Sequence, residues 1–320
     1  MIATEPRSTA AFELVPCPVC RATEASPFLA GCRERLLDLP DEFSLVRCDA
    51  CGLVRLNPRP TPDAIGAYYP AEYLPFGAEM LPPSGGLKRL LQSTLRRVYE
   101  WRQGGPPYQL VGAPGRRVLD VGCGTGWFLD RFTTTGWEAW GVELNAAAAA
   151  KARGRPGVRC VIEQAIEEAA LPEEFFDVVT FRDSIEHAFD PRLALEKSWR
   201  ALKPGGVVEL LTPDISSFEA RLFKRDWYAL ELPRHLQLFS QQTLGRLLET
   251  TGFEIVKARP TAVPRGIYAS LDYYAETHFG RRLNTRAWQH MWVHHALLPI
   301  ALGLALAGTG MSIEMWGRKP

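Results

Sequence analysis

Val118-Leu119-Asp120-Val121-Gly122-Cys123-Gly124-Thr125-Gly126 is a short apolar run entering a glycine-rich turn, and Trp127-Phe128-Leu129-Asp130-Arg131-Phe132 continues it as a helical stretch. Glycine lacks a Cβ, so such a turn can be tight and its backbone can lie against a bound ligand. The next apolar run ends in Gly141-Val142-Glu143. A carboxylate at the tip of the neighbouring strand can accept both hydroxyls of a ribose. Strand, glycine turn, helix and acidic strand end, in that order, predict a nucleoside site at the switch point of an open sheet.

Working outward from Arg116, short apolar runs alternate with helical stretches, at 116–121, 137–143, 158–163, 176–181, 206–212, 253–258 and 312–318. This alternation predicts an α/β fold: a Rossmann-like, doubly wound sheet of seven strands covered by helices on both faces. Asp190 and Pro191 open a helix that Leu202-Lys203-Pro204-Gly205-Gly206 is expected to close with a glycine stop, and a further helix is expected from Ser240 to Gly252. Residues 260–311 separate the last two strands, a stretch too long for a turn and rich in Tyr, Trp and His. It reads as an insertion before the last strand that acts as a lid over an acceptor.

The glycines fall as GxGxG, and Trp127 takes the place of the third glycine of a dinucleotide fingerprint, which disfavours nicotinamide. Asp120 adds an anion beside the turn, unfavourable for phosphate but suited to a cationic ligand. S-adenosylmethionine, with an ammonium, a sulfonium and no phosphate, meets both conditions.

With VLDVGCGTG, GVELN, FDVVTFRDSIEHAFDP, ALKPGG and PRHLQLFS, the stretch from Arg116 to about Arg259 resembles the class I S-adenosylmethionine-dependent methyltransferases. The resemblance implies that Asp120, Gly122, Gly124 and Gly126 contact the methionine part. It also implies that Glu143 holds the ribose, that Leu144 packs on adenine, and that Gln164 and Ala165 lie near the adenine amino group. Gln164 departs from the commoner aspartate. Asp183, at the end of the fourth strand, is assigned to the cofactor side. Glu186 and His187 follow it, and His235 comes after the fifth strand; these three are the catalytic candidates, with His187 favoured as general base because imidazole titrates near neutrality. A structural reading of the Glu186-His187 pair, tying its loop to the sheet, stands beside the catalytic one. Tyr228 and Glu231 could also face the acceptor.

Cys17-Pro18-Val19-Cys20 and Cys48-Asp49-Ala50-Cys51 are two CxxC turns within a short span. Four thiolates so arranged form a closed tetrahedral site for zinc, with iron as the competing metal, and lend folding free energy to a unit with a small core. The organisation expected is a zinc ribbon over 1–57, a connector carrying a helix over 58–112, and a methyltransferase domain over 113–320 that includes the 260–311 insertion. A zinc unit ahead of such a domain is similar to sugar C-methyltransferases and their relatives from surface-polysaccharide pathways.

Across 320 residues the net charge is +1, with 46% hydrophobic and 23% charged residues. That composition describes a globular protein with no global field for nucleic acid. Seven cysteines and an N-terminus without an apolar signal core fit a reducing, cytoplasmic setting. The function expected is methyl transfer to a small-molecule acceptor such as a sugar nucleotide. Residues 296–311, uncharged and sixteen long, fall short of a bilayer span but leave open a peripheral membrane contact and a lipid or quinone-like acceptor. A regulatory or nucleic-acid-binding zinc protein that only senses the cofactor is the rival from another class; the mixed charges of the zinc unit count against it.

Overall fold

The computed structural model describes residues 11–35, 39–69, 115–283 and 291–320, with side chains from 296 onward in the last span. The connector beyond Tyr69, including its expected helix at 86–102, lies outside the described residues, as do Trp288, His290 and the side chains of Trp292, His294 and His295.

The N-terminal strands are β1 (Phe12–Glu13), β2 (Ala25–Arg33), β3 (Glu42–Cys48), β4 (Val54–Leu56) and β5 (Arg59–Pro60). The rest are β6 (Arg117–Val121), β7 (Glu138–Val142), β8 (Val158–Ile162), β9 (Phe176–Arg182), β10 (Leu202–Pro213), β11 (Gln237–Leu238), β12 (Glu254–Thr261) and β13 (Ser312–Arg318). A central seven-stranded sheet runs in the order β12-β13-β10-β9-β6-β7-β8. From β8 to β10 neighbouring strands are parallel, and β13 runs antiparallel to both of its neighbours. The chain starts at β6, winds outward through β7 and β8, then returns to place β9 on the other side of β6. Ligand crevices of open sheets form where the winding reverses, at the carboxyl ends of β6 and β9. Strands covered on both faces read as nearly continuous apolar runs, and Leu119, Val178, Val179, Val208 and Leu210 are all fully buried.

Leu202–Gly206 belongs to β10 and not to a helix terminus. The Pro191–Ala201 helix ends earlier, Leu202 is already extended at ψ 140, and the pairing with β9 is irregular between Leu202 and Val207. Pro204 keeps the helix from resuming, because the residue before it, Lys203, is driven out of the helical region. After the glycine turn only Asp130–Thr133 forms α-helix.

The N-terminal unit does not stand free. Its four-stranded sheet has the order β11-β4-β3-β2, so a strand from beyond residue 113 completes it. Cys17, Val19, Cys48 and Leu53 join one apolar cluster with Leu119 and Val179 of the central sheet. Between β12 and β13 lie the helices Pro264–Phe279 and Met291–Leu306, the latter continuing through Pro299. The first carries Tyr273 and Ser270, and Ser270 Oγ accepts from the Tyr228 amide at 2.9 Å. Among the described residues no helix is long and apolar enough to cross a membrane.

Candidate functional site

At the end of β6 the chain turns through Gly122, Gly124 and Gly126 at φ +74, +52 and +77. A Cβ at Gly122 would lie 2.7 Å from that of Ser184, so neither the torsion nor the space admits a side chain there. Glu143, just past β7, is buried and clasps the turn. One carboxylate oxygen accepts from the Gly124 amide at 2.8 Å and the other from the Asn145 amide at 2.7 Å. Each oxygen keeps capacity for another donor, as a ribose diol requires. Leu144 beside it is 69% exposed, an apolar surface open to a planar ring.

Asp120 is buried within the sheet and accepts from Thr180 Oγ1 at 2.6 Å. Burial pushes its carboxyl up to about 7, against the lowering effects of Thr180 and Arg182. Gln164 and Ala165 follow β8, where Gln164 is exposed and the Ala165 carbonyl starts a turn by accepting from Glu168 and Ala169. Asp183 follows β9, exposed, with a left-handed backbone at φ 52. Such torsions in non-glycine residues cost about 1–3 kcal/mol and cluster at ligand sites. The expected cofactor residues therefore share the carboxyl ends of β6, β7, β8 and β9.

A second cluster lies behind them. Donor atoms of Glu186, His187 and His235 fall within 4.8 Å of one another, and the two imidazole rings sit 4.7 Å apart, edge to face. Glu186 is fully buried, with neither carboxylate oxygen hydrogen-bonded. Burial, then the neighbouring Asp183, push its carboxyl well above the usual range. Burial acts oppositely on imidazole, pushing His187 down to about 3 and also lowering His235, so both are neutral bases.

Their tautomers follow from their partners. His187 Nδ1 is 3.0 Å from the Arg234 carbonyl and His235 Nδ1 is 2.9 Å from the Ala229 carbonyl. A carbonyl only accepts, so each Nδ1 carries the proton and each Nε2 keeps its lone pair. Glu231 Oε2 stands 3.8 Å from His235 Nε2, on a residue that is itself left-handed at φ 39. A carboxyl group and two imidazoles this close are also a donor set that a divalent cation would fit. The tie between this loop and the sheet is made elsewhere: Gln237 Nε2 donates to the carbonyls of Ile185, Glu186 and Ala188, at 3.3, 3.2 and 2.6 Å. The His187 ring adds a tie of its own through the Arg234 carbonyl, while its Nε2 stays available.

Tyr69 completes the cluster, its hydroxyl 2.9 Å from His187 Nδ1. Sequence reading missed it, since nothing in spacing links residues so far apart; the paired tyrosines after a proline-rich stretch are the only signal. It also missed Arg234, which is fully buried and binds Glu34 at 2.6 Å and Glu231 at 3.2 Å, fastening the N-terminal unit to the loop of His235.

In the N-terminal unit, Cys17 and Cys51 Sγ are 3.5 Å apart, as are those of Cys20 and Cys48, and all four lie within 4.8 Å. None is in a disulfide. Zinc–sulfur bonds of about 2.3 Å in a tetrahedron require sulfurs about 3.8 Å apart, so the four fit that ion. The two turns are built alike: the Arg21 amide donates to the Cys17 carbonyl and the Gly52 amide to that of Cys48, both at 2.8 Å. Arg21 and Gly52 are both left-handed, at φ 66 and φ 81.

A family model described as a methyltransferase domain matches residues 87–258. Among curated proteins, the chain is 30% identical over 177 residues to one named "Probable S-adenosylmethionine-dependent methyltransferase" of Mycolicibacterium smegmatis, covering 55% of this chain and 66% of that one. It is 37% identical over 103 residues to a ubiquinone biosynthesis O-methyltransferase of Pseudomonas fluorescens, covering 31% of this chain and 44% of that one. The chain thus spans less than two thirds of either relative. Among solved structures, an S-adenosylmethionine-dependent methyltransferase of Mesorhizobium loti superposes with a TM-score of 0.46 at 19% identity, over 69% of this chain and 98% of that one.

Proposed function

Because the chain belongs to this methyltransferase-domain family, we propose that it transfers a methyl group from S-adenosylmethionine to a small-molecule acceptor whose nucleophile carries a proton. The observation that carries the reading is the juxtaposition of a nucleoside-type crevice at β6 and β7 with two neutral imidazoles at the end of β9 and before β11. When bound, S-adenosylmethionine supplies an electrophilic methyl. Glu143 accepts the ribose hydroxyls, Asp120 faces the ammonium side, and Leu144 offers its exposed face to adenine. His187 or His235 takes the nucleophile's proton at Nε2, with Tyr69 and Glu231 orienting the pair; positioning supplies the rest of the acceleration. The four cysteines hold zinc as a structural ion in a reducing cytoplasmic setting, and the 260–311 insertion covers the acceptor. A sugar nucleotide is the acceptor class favoured by the zinc unit ahead of the methyltransferase part. A quinone-like acceptor has the support of the ubiquinone biosynthesis relative; assays with both classes decide between them.

Calorimetry tests the cofactor half. S-adenosylmethionine should bind the wild type, and Glu143→Ala should weaken it by about 1–3 kcal/mol, because buried hydrogen-bond partners are removed. Asp120 sets the pH dependence. Its carboxyl rests near 7 in the free protein and must be ionised to meet an ammonium, so affinity should be about tenfold weaker at pH 6 than at pH 8. Asp120→Asn should abolish that slope. No binding by the wild type would end the methyltransferase reading, and a slope that survives in Asp120→Asn would end the role of Asp120.

For the catalytic half, His187→Asn and His235→Asn should each leave cofactor affinity intact. Turnover should fall about 100-fold in the variant that loses the base. Full turnover in both would overturn the base assignment.

A further inference from the structure

A shallow, open cleft lies beside the catalytic cluster, lined in part by Arg33, Arg35, Arg225, Tyr228, Glu231 and Tyr273. Three separate regions build it: the end of β2 and the residues after it, the Lys224–Glu231 segment, and the insertion helix Pro264–Phe279. One of its residues, Glu231, also touches the catalytic cluster. Its carboxylate stands 3.8 Å from His235 Nε2, and Tyr228, three residues earlier in the chain, has its phenol pushed up chiefly by burial. Whatever occupies the cleft therefore reaches toward the imidazoles.

The three arginines are not equivalent. Arg35 is committed to the fold: it binds Asp226 at 2.6 Å, Glu276 at 3.3 Å, Thr277 Oγ1 at 2.7 Å and the Tyr273 carbonyl at 3.2 Å, with its guanidinium 5.4 Å from the centre of the Tyr273 ring. Its charge is matched, so it serves as a rigid wall. Arg33 and Arg225 are exposed and differ from it. Arg33 has one solvent-exposed pairing, with Glu42 at 3.3 Å, a type worth little, and Arg225 has no carboxylate partner among the described residues. Arg33 and Arg225 line the same cleft as Arg35, and of the three Arg225 is the one whose charge meets no carboxylate among the described residues; the lining carboxylate, Glu231, is already held by Arg234 at 3.2 Å. Planar forks of donors suit the oxygens of a phosphate, which can bond to both at once.

The backbone is strained in the segment that presents Arg225. Lys224, immediately before Arg225, sits at φ 49 and ψ −114, and Glu231 closes the same segment at φ 39. Non-glycine residues in such regions persist where the surroundings over-determine them, and they cluster at active sites and ligand clamps. Tyr228 and Tyr273, 6.3 Å apart and tilted by 33°, form a ring-faced wall beside the arginines.

We propose that Arg33 and Arg225 form a phosphate subsite for the acceptor, holding a phosphate or diphosphate ester in this cleft so that the atom to be methylated extends past Tyr228 and Glu231 to His187 and His235. This rests on the methyl-transfer reading above and narrows it to phosphate-bearing acceptors. The chemistry is common to a soluble phosphate ester and to a lipid phosphate headgroup.

The full-length chain is titrated with inorganic pyrophosphate, and separately mixed with vesicles of phosphatidylglycerol or of phosphatidylcholine, as wild type and as the Arg33→Gln/Arg225→Gln double variant. Both side chains are exposed, so the variant should fold, which an unchanged melting temperature and an unchanged affinity for S-adenosylmethionine verify. Pyrophosphate should bind the wild type and lose about tenfold or more in affinity in the double variant, through loss of charge-assisted hydrogen bonds. Additional capture of the wild type by phosphatidylglycerol vesicles, abolished in the variant, assigns the subsite to a lipid headgroup; equal behaviour with both vesicle types assigns it to a soluble ester. Pyrophosphate binding that is absent, or equal in both proteins, overturns the subsite. A wild type that binds pyrophosphate as expected but no S-adenosylmethionine overturns the methyl-transfer reading and leaves the anion site standing.

Discussion

Purified without chelator, the chain is expected to carry about one zinc ion per molecule, and Cys48→Ser is expected to lose it together with the native packing of the N-terminal unit. The reason lies in what surrounds the four thiols. Cys17 and Cys48 are almost wholly buried, and with Val19 and Leu53 they sit inside the apolar cluster that reaches Leu119 and Val179. The sheet of β2, β3 and β4 is small and depends on the two-residue β11 for its far edge. Structural zinc sites contribute apparent free energies of about 10–16 kcal/mol in small units, more than such a sheet supplies by itself. Cys32→Ser is the control: Cys32 lies on β2 with Phe43 and Leu45 outside the four-sulfur group, and its thiol is pushed by burial up to about 11. Elemental analysis should find the metal kept there and absent in Cys48→Ser. The opposite pattern, or a wild type without metal, would sink the four-ligand site. A visible thiolate-to-iron absorption band would give the site to iron.

The contrast between residues that sequence marks and residues that it hides has a physical basis. Strands β6 to β10 were legible because parallel strands buried on both faces are continuous apolar runs, and the glycine turn was legible because only glycine tolerates its torsions. Asp120, Glu143, Asp183, Glu186 and His187 were locatable because each lies within a few residues of a strand end. Pro204 misled in the opposite direction: a proline-glycine sequence read as a helix stop leads straight into β10. Tyr69 and Glu34 were illegible since their partners, His187 and Arg234, lie 118 and 200 positions away, and only the closed fold brings them together. Positive-φ torsions at Arg21, Lys224 and Glu231 were equally hidden, because none of these residue types announces such a backbone.

Arg234→Ala is expected to destabilise the protein by about 3–5 kcal/mol, the cost of breaking a buried ion pair by removing one partner. Arg234 and Glu34 have no exposed side-chain surface and meet at 2.6 Å. The same guanidinium also binds Glu231 at 3.2 Å and the Tyr68 carbonyl at 3.1 Å. Removing it takes the compensating charge from Glu34 in a site that water does not reach, takes one tie from Glu231, and unfastens β2 from the loop that carries His235. The penalty therefore reflects an uncompensated buried charge more than the net worth of the pair, and this distinction can be measured. Arg234→Met combined with Glu34→Leu removes both charges while keeping comparable volume, and it should recover most of the lost stability. Turnover should not recover with it, because Glu231 beside His235 still lacks its guanidinium. Urea unfolding of the single and double variants, with turnover recorded on each, separates the two effects. A single variant costing less than about 1 kcal/mol would make the pair equivalent to one at the surface and would remove its role as the clasp between the N-terminal unit and the catalytic loop.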